Sequence, residues 1–435
     1  MRICVVAMGK IGLPLAVQFA SKGHHVIGAD VNPQTAALVN RGVEPFPGEA
    51  HLARKLQETV SRGLLTATTD TAAAVAQSEA VVVVVPLFVD EESCPDFAGM
   101  DAATEAIGRG LQPGTLVSYE TTLPVGTSRT RYAPMLEEGS GLVAGDGFHL
   151  VFSPERVLTG RVFADLRKYP KLVGGINLAS EARGIGFYES VLDFDERSDL
   201  PRPNGVWPMG STEAAELAKL AETTYRDVNI GLANQFAKFA DKQGIDIYAV
   251  IEACNSQPYS HIHQPGIAVG GHCIPVYPRL YLHNDPGATI VAAAREANAS
   301  MPEYAVQRLE EEYGDLVGAT VAVLGAAYRG GVKETAFSGV FPVVAALREA
   351  GAHVVVHDPM FSDEELSEYG WEPYHLDNPV DAAIVQADHP EYRGLTPADL
   401  PGARVLLDGR RILTQGQALE LVHIGAVTTN AAPIG

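Results

Sequence analysis

Cysteine is scarce. Four residues in 435, Cys4, Cys94, Cys254 and Cys273, are too few for a disulfide framework in a chain this long, so the sequence points to a reducing compartment. Basic residues are also short: 32 Lys and Arg stand against 53 Asp and Glu, a formal charge of −21. That deficit argues against a nucleic-acid binder and against attraction to an anionic membrane. A phosphate-bearing ligand would still need local positive charge. No apolar run reaches the ~18–20 residues of a membrane span. The opening stretch Met1-Arg2-Ile3-Cys4-Val5-Val6 has the look of a signal peptide, yet it breaks at Gly9-Lys10 and lacks a small-residue cleavage site. A soluble, cytoplasmic protein is expected. Hydrophobic residues at 46% and charged residues at 20% match a globular average, which leaves little room for disorder or coiled coil. At roughly 100–200 residues per domain the length predicts two to four domains.

The first forty residues carry the strongest local pattern. Arg2 to Val6 is a β-branched run, through Ile3, Val5 and Val6, suited to a strand buried on both faces. Ala7-Met8-Gly9-Lys10-Ile11-Gly12 follows, then a helical stretch from Leu13 to Ala20. His25 to Ala29 is a second strand, with Asp30 at its C-terminal end. A strand, glycine turn, helix and strand closed by an acid about 20 residues on is the dinucleotide-binding fingerprint. The glycines let the backbone approach a pyrophosphate, and the helix N-terminus offers unpaired N–H groups. Asp30 can accept both ribose hydroxyls and would repel a 2′-phosphate, which favours NAD over NADP. Ala7 stands where the pattern usually has its first glycine.

Further buried strands are predicted over Ala80–Val85, ending at Pro86, over Thr115–Tyr119, ending in Glu120-Thr121-Thr122-Leu123-Pro124, and over His149–Ser153, ending in Pro154-Glu155. In a parallel sheet these C-terminal ends face the ligand crevice, so Thr122 and Glu155 belong to the right edge. Thr122 as a mere turn cap is an equally good local reading. From Ser211, an N-cap with Glu213 in the first turn, a helical pattern runs to about Lys242 before Gly244. Thirty residues give a rod of about 45 Å. Helices are also expected over Ile247–Asn255 and Thr289–Gly314. The last third repeats the opening: a strand over Thr320–Gly325, a helix over Ser338–Ala350, and a strand over His353–Asp358 ending in an acid. Its first loop carries two cations, Arg329 and Lys333, like a phosphate site built from side chains. The predicted fold is α/β: two Rossmann-like doubly wound parallel-sheet domains joined by a central all-helical block with one long helix. Boundaries are expected at 1–200, 208–305 and 315–435, with crevices that can face each other.

Gln264 to Pro275 is a glycine-rich loop presenting one cysteine, Cys273, after Gly270-Gly271-His272. Glycines let the backbone curl close to a substrate, and a cysteine in a polar loop can act as a thiolate nucleophile. Cys254, within an apolar helix, fits a buried structural thiol. Zinc is the rival for this region, through His261, His263, His272 and Cys273, but the spacing lacks a matched downstream pair, so no metal is expected.

These segments resemble the UDP-glucose/GDP-mannose dehydrogenase family over nearly the whole chain. The matching stretches are Gly9 to Ala16, Glu120 to Pro124, Phe152 to Leu158, Glu216 to Glu222, Val269 to Pro275, Asp388 to Tyr392 and Asp408 to Arg411. Ser-Pro-Glu-Arg-Val-Leu and Gly-Gly-His-Cys-Ile-Pro look closest to the UDP-N-acetylhexosamine (ManNAc/GlcNAc) branch. The resemblance implies NAD-dependent oxidation of the C6 alcohol of a UDP-sugar, UDP-N-acetylhexosamine or UDP-glucose, to a carboxylate, in a homodimer built around the long helix. It implies catalytic roles for Cys273 as nucleophile, Glu155 as general base, and Lys219 with Thr223 as oxyanion donors. It places NAD at Gly9, Lys10, Ile11, Gly12, Asp30, Pro86 and Thr122. The nucleotide sugar falls to Arg156, Gly270, Gly271, Tyr328, Arg329 and Arg410.

Three positions depart from the family pattern. Thr223 stands where an asparagine is usual, Tyr277 replaces an aspartate four residues after the cysteine, and Lys333-Glu334-Thr335-Ala336 replaces Asp-Asp-x-Arg. Two other readings stay open on the residues: a two-electron hydroxyacid-type dehydrogenase that needs neither Cys273 nor a third domain, and a non-catalytic sensor of NAD or nucleotide sugars.

Overall fold

The computed structural model describes residues 1–90, 94–413 and 420–425. The chain divides into two compact units, Met1–Ala221 and Glu222–Gly435. The strands in chain order are β1 Arg2–Val6, β2 His25–Ala29, β3 Leu65–Thr68, β4 Ala80–Val83, β5 Phe88–Val89, β6 Pro95–Asp96, β7 Leu116–Tyr119, β8 His149–Phe152, β9 Lys171–Gly175, β10 Val206–Pro208, β11 Thr320–Leu324, β12 His353–His357, β13 Glu372–Pro373, β14 Ala382–Val385, β15 Val405–Asp408 and β16 Glu420–His423.

In the first unit eight strands form one sheet in the order β10-β9-β8-β7-β4-β1-β2-β3. The pairs from β3 across to β8 are parallel, which gathers their C-terminal ends along one edge. Ala80, Val81, Val82 and Val83 are fully buried, as expected for a strand covered by helices on both faces. The β8–β9 pair is antiparallel, a turn the sequence reading did not foresee. Because β9 runs backwards, its first residue, Lys171, arrives at the edge where the parallel strands finish. The second unit holds a six-stranded sheet, β13-β12-β11-β14-β15-β16, parallel throughout. Val321, Val323, Val356 and Ile384 lie in its core.

A helical region separates the two sheets in sequence. Its long helix spans Thr212–Gln243, and Ser211 caps it by accepting the Ala214 amide through Oγ at 3.1 Å. The helix expected over Thr289–Gly314 is two helices, Thr289–Ala299 and Met301–Tyr313. Pro302 explains the break: it has no N–H for the carbonyl one turn back and its ring crowds that turn. A short helix, Tyr277–Asn284, follows the Cys273 loop and was not anticipated. No helix among the described residues is long and apolar enough to cross a membrane.

Candidate active site

The turn after β1 has the shape a pyrophosphate needs. Ala7 adopts a left-handed φ of 74°, so it takes the conformation of the glycine it replaces. A side chain at Gly12 would place its Cβ 1.9 Å from the Ala7 carbonyl oxygen and 2.7 Å from Val84 Cγ2, so only glycine fits there. The helix Gly12–Ser21 opens at this point with no acid in its first turn, so the positive end of its dipole is turned on the glycine loop. Gly9 and Lys10 are exposed, and Ile11 precedes the helix. Asp30 follows β2, its Oδ2 accepting the Met8 amide at 2.7 Å and its Oδ1 the Asn32 amide at 2.8 Å. The shape of this turn and the acid at the end of β2 fit a dinucleotide.

Pro86 and Thr122 follow β4 and β7 on the same edge of the sheet. The Thr121 hydroxyl donates to the Val85 carbonyl at 2.6 Å, tying the two strand ends together. The loop beyond Thr122 is pinned by Glu216 of the long helix, whose carboxylate accepts the amides of Gly126 at 2.6 Å and Ser128 at 2.9 Å. Burial pushes the Glu216 carboxyl up to about 7.

Glu155, after β8, is nearly buried, with 11% of its side chain exposed. Its Oε1 accepts the Arg156 amide at 2.7 Å, and its Oε2 accepts Lys171 Nζ at 2.8 Å. Lys171 also donates to Glu120 Oε2 at 2.7 Å, and the Tyr188 hydroxyl donates to Glu120 Oε1 at 2.6 Å. Desolvation raises Glu120, while the Lys171 ammonium and the Arg156 amide hold Glu155 below the usual carboxylate range against the opposing effect of its own burial. Arg156 donates to the Pro170 carbonyl at 3.3 Å, just before Lys171. Sequence reasoning missed Lys171 and Tyr188. A lysine opening the otherwise apolar Leu172-Val173-Gly174-Gly175 strand was the available signal.

Lys219 and Thr223 sit one turn apart on the long helix and both are buried, so Lys219 is no solvated surface lysine. Asp227, the next turn, accepts Nε and Nη2 of Arg295 and the Asn298 amide, a cluster the sequence reading did not identify.

In the second unit, free Cys273 is exposed, and its carbonyl accepts the amides of Tyr277 at 2.9 Å and Val276 at 3.3 Å. The backbone thereby turns from the loop directly into the helix Tyr277–Asn284. Gly270 and Gly271 are required by Tyr328: a Cβ at Gly270 would lie 2.6 Å from Tyr328 Cβ, and one at Gly271 3.0 Å from its ring. Arg329 stands beside Tyr328 in a loop held by Asp388, whose Oδ1 accepts the Gly330 amide at 2.7 Å. Arg410 donates to the carbonyls of Gln386 at 2.6 Å and Ala268 at 3.1 Å, fastening the glycine-rich loop. The departure at Lys333 is turned outward, where its ammonium meets Glu365 at 2.5 Å. A cavity of about 460 Å³ lies beside the loop, lined by Val269, Pro275, Arg279, Arg295, Phe337 and Phe341 among others. Among the described residues no three His, Cys, Asp or Glu side chains converge as metal ligands.

Comparison with known proteins bears on both units. Three family profiles match in succession: the NAD-binding domain of the UDP-glucose/GDP-mannose dehydrogenase family over residues 1–192, its central domain over 213–300 and its UDP-binding domain over 322–415. A UDP-N-acetyl-D-mannosamine dehydrogenase of Pyrococcus horikoshii is 33% identical over 430 residues, covering 95% of this chain and 96% of the relative. A solved UDP-D-ManNAc dehydrogenase from the same organism superposes with a TM-score of 0.86 at 31% identity, covering 98% of this chain and 99% of that one. A UDP-glucose dehydrogenase of Pyrobaculum islandicum gives a TM-score of 0.85 at 27% identity, covering 98% and 97%. The chain belongs to the UDP-glucose/GDP-mannose dehydrogenase family and is an NAD-dependent oxidoreductase acting on a UDP-sugar.

Proposed function

We propose that the chain oxidises the C6 hydroxyl of a UDP-N-acetylhexosamine, with UDP-N-acetylmannosamine the favoured substrate, to the uronate through a Cys273 thioester. The observation that carries the substrate is the 33% identity, over 95% of the chain, to a relative named for UDP-N-acetyl-D-mannosamine. NAD supplies a hydride acceptor when bound. Lys219 and Thr223 stabilise negative charge on the C6 oxygen as it becomes alkoxide and later tetrahedral oxyanion. Cys273 Sγ adds to the aldehyde carbon, restoring a centre with a C–H hydride to give up and leaving a thioester. Glu155 then takes a proton from water as the water oxygen bonds to the thioester carbon. The C–S bond breaks and the Cys273 thiolate is regenerated with the carboxylic acid. Tyr328 and Arg329 are assigned to the nucleotide, with Arg156, Gly270 and Gly271 toward the sugar-phosphate and Arg410 supporting the loop. A panel of UDP-sugars tests the reading. Two NADH and one uronate per UDP-N-acetylmannosamine support it; one NADH and a carbonyl product would move the chain to a two-electron dehydrogenase.

We further propose a homodimer on the long helix. Leu217, Tyr225, Leu232, Phe236 and Phe239 are exposed apolar side chains at helical spacing, between 37% and 61% accessible. A stripe of that kind on one helix is what a second copy of the same helix covers.

A further inference from the structure

Two buried carboxylates share one ammonium in the first unit. Lys171 Nζ lies 2.7 Å from Glu120 Oε2 and 2.8 Å from Glu155 Oε2. Each group comes from a different element: Glu120 from the end of β7, Glu155 from beyond β8, and Lys171 from the start of antiparallel β9. Tyr188, from the helix Leu178–Val191, closes the far side by donating to Glu120 and placing its ring 4.9 Å from Lys171 Nζ. The Tyr188 and Ser118 hydroxyls lie 2.6 Å apart. With both carboxylates ionised the buried unit carries one uncompensated negative charge, which low-dielectric surroundings resist.

We propose that Lys171 is a positioning residue for Glu155, and that Glu120 sets the basicity of Glu155 by competing with it for the single ammonium. This rests on the reading of Glu155 as the base that activates water. When Glu120 is protonated, the whole attraction of Lys171 falls on Glu155 and makes its carboxylate a weaker base. When Glu120 ionises, it draws on the same ammonium and repels Glu155, and the base strengthens. The proton favours Glu120 because its side chain is fully buried, whereas Glu155 has the Arg156 amide and some solvent. Burial pushes the Glu120 carboxyl up to about 7, which puts the switch at neutral pH. Groups facing Glu155 from its neighbours are thus Lys171 and Glu120 directly and Tyr188 through Glu120, with Arg156 on its own strand end.

The test follows the acyl-enzyme in rapid-mixing experiments with NAD and UDP-N-acetylmannosamine, using intact-protein mass to read thioester decay from pH 6 to 8. Wild-type decay accelerates as pH rises through neutrality. Glu120→Gln leaves formation of the acyl-enzyme intact, slows its decay about tenfold above neutrality and flattens the profile, as a Brønsted dependence on a weaker base requires. Lys171→Met loses the profile as well, and Lys171→Arg, which keeps a cation and its donors between the two carboxylates, restores it. If Lys171→Met fails to fold, the Glu120→Gln profile still decides. A Glu120→Gln decay rate and pH profile superimposable on wild type would overturn the inference. Glu155→Gln is the control for the reading beneath it: it accumulates undecayed acyl-enzyme, and failure to do so would refute Glu155 as the base independently of Glu120.

Discussion

The Met8 amide donates to Asp30 Oδ2 at 2.7 Å, so the acid that closes the second strand also fastens the glycine turn after the first. The second sheet repeats the device: Asp358 Oδ2 accepts the amides of Ala326 at 2.8 Å and Ala327 at 3.0 Å. Asp30→Ala is therefore expected to weaken NAD in two ways, through the ribose and through the turn. Hydrogen bonds to a charged group contribute roughly 1.5–3 kcal/mol, which is tenfold or more in Kd at about 1.4 kcal/mol per decade. Titration calorimetry with NAD and NADP checks it, and the preference for NAD should narrow. Unchanged NAD affinity would remove Asp30 from the cofactor site.

Ala7 in the left-handed region carries strain that glycine would not. The alanine costs roughly 1–2 kcal/mol there, against roughly 0.5–1 kcal/mol of extra chain entropy for glycine. Ala7→Gly is expected to stabilise the protein by about 0.5–1 kcal/mol in denaturant unfolding. A loss of stability would mean that the turn does not hold that conformation.

Much of this was legible because alternation between buried strands and amphipathic helices leaves a strong imprint. His25–Ala29 and Ile247–Asn255 have the residues expected of them, and the Gly9 to Gly12 turn could be placed from its context even with Ala7 in the first position. Lys171 was not legible, because its importance comes from one antiparallel strand that brings residue 171 beside residues 120 and 155. Pairing of that kind is set by tertiary packing, and local pattern does not record it. The break at Ser300 was missed for a different reason: apolar periodicity continues through Met301-Pro302, and Pro302 should have been given precedence.

Glu216 predicts a pH dependence of stability. Its carboxyl rises from an ordinary 4.5 to about 7 on folding, so the folded state binds the proton more tightly than the unfolded chain. Its contribution is full below pH 4.5 and is lost as pH rises through 7, by about 3 kcal/mol at most at 1.36 kcal/mol per unit. Glu216→Gln removes the titration. The stability difference between variant and wild type should move in favour of the variant from pH 4.5 to 7.5. A difference independent of pH would contradict the raised value.

The exposed stripe on the long helix predicts its own disruption. Leu232→Asp with Phe239→Asp should convert a dimer to a monomer at micromolar concentration in light scattering, with helical content by circular dichroism unchanged. A monomeric wild type, or a variant that stays dimeric, would contradict the proposed interface.

The most direct measurement concerns Cys273. Covalent catalysis makes the sulfur indispensable for the second oxidation and dispensable for the first, since Lys219 and the cofactor turn remain. Cys273→Ala, supplied with NAD and UDP-N-acetylmannosamine and followed by product mass, should form no uronate while retaining slow, reversible oxidation of the alcohol. Uronate produced at the wild-type rate would contradict the thioester account.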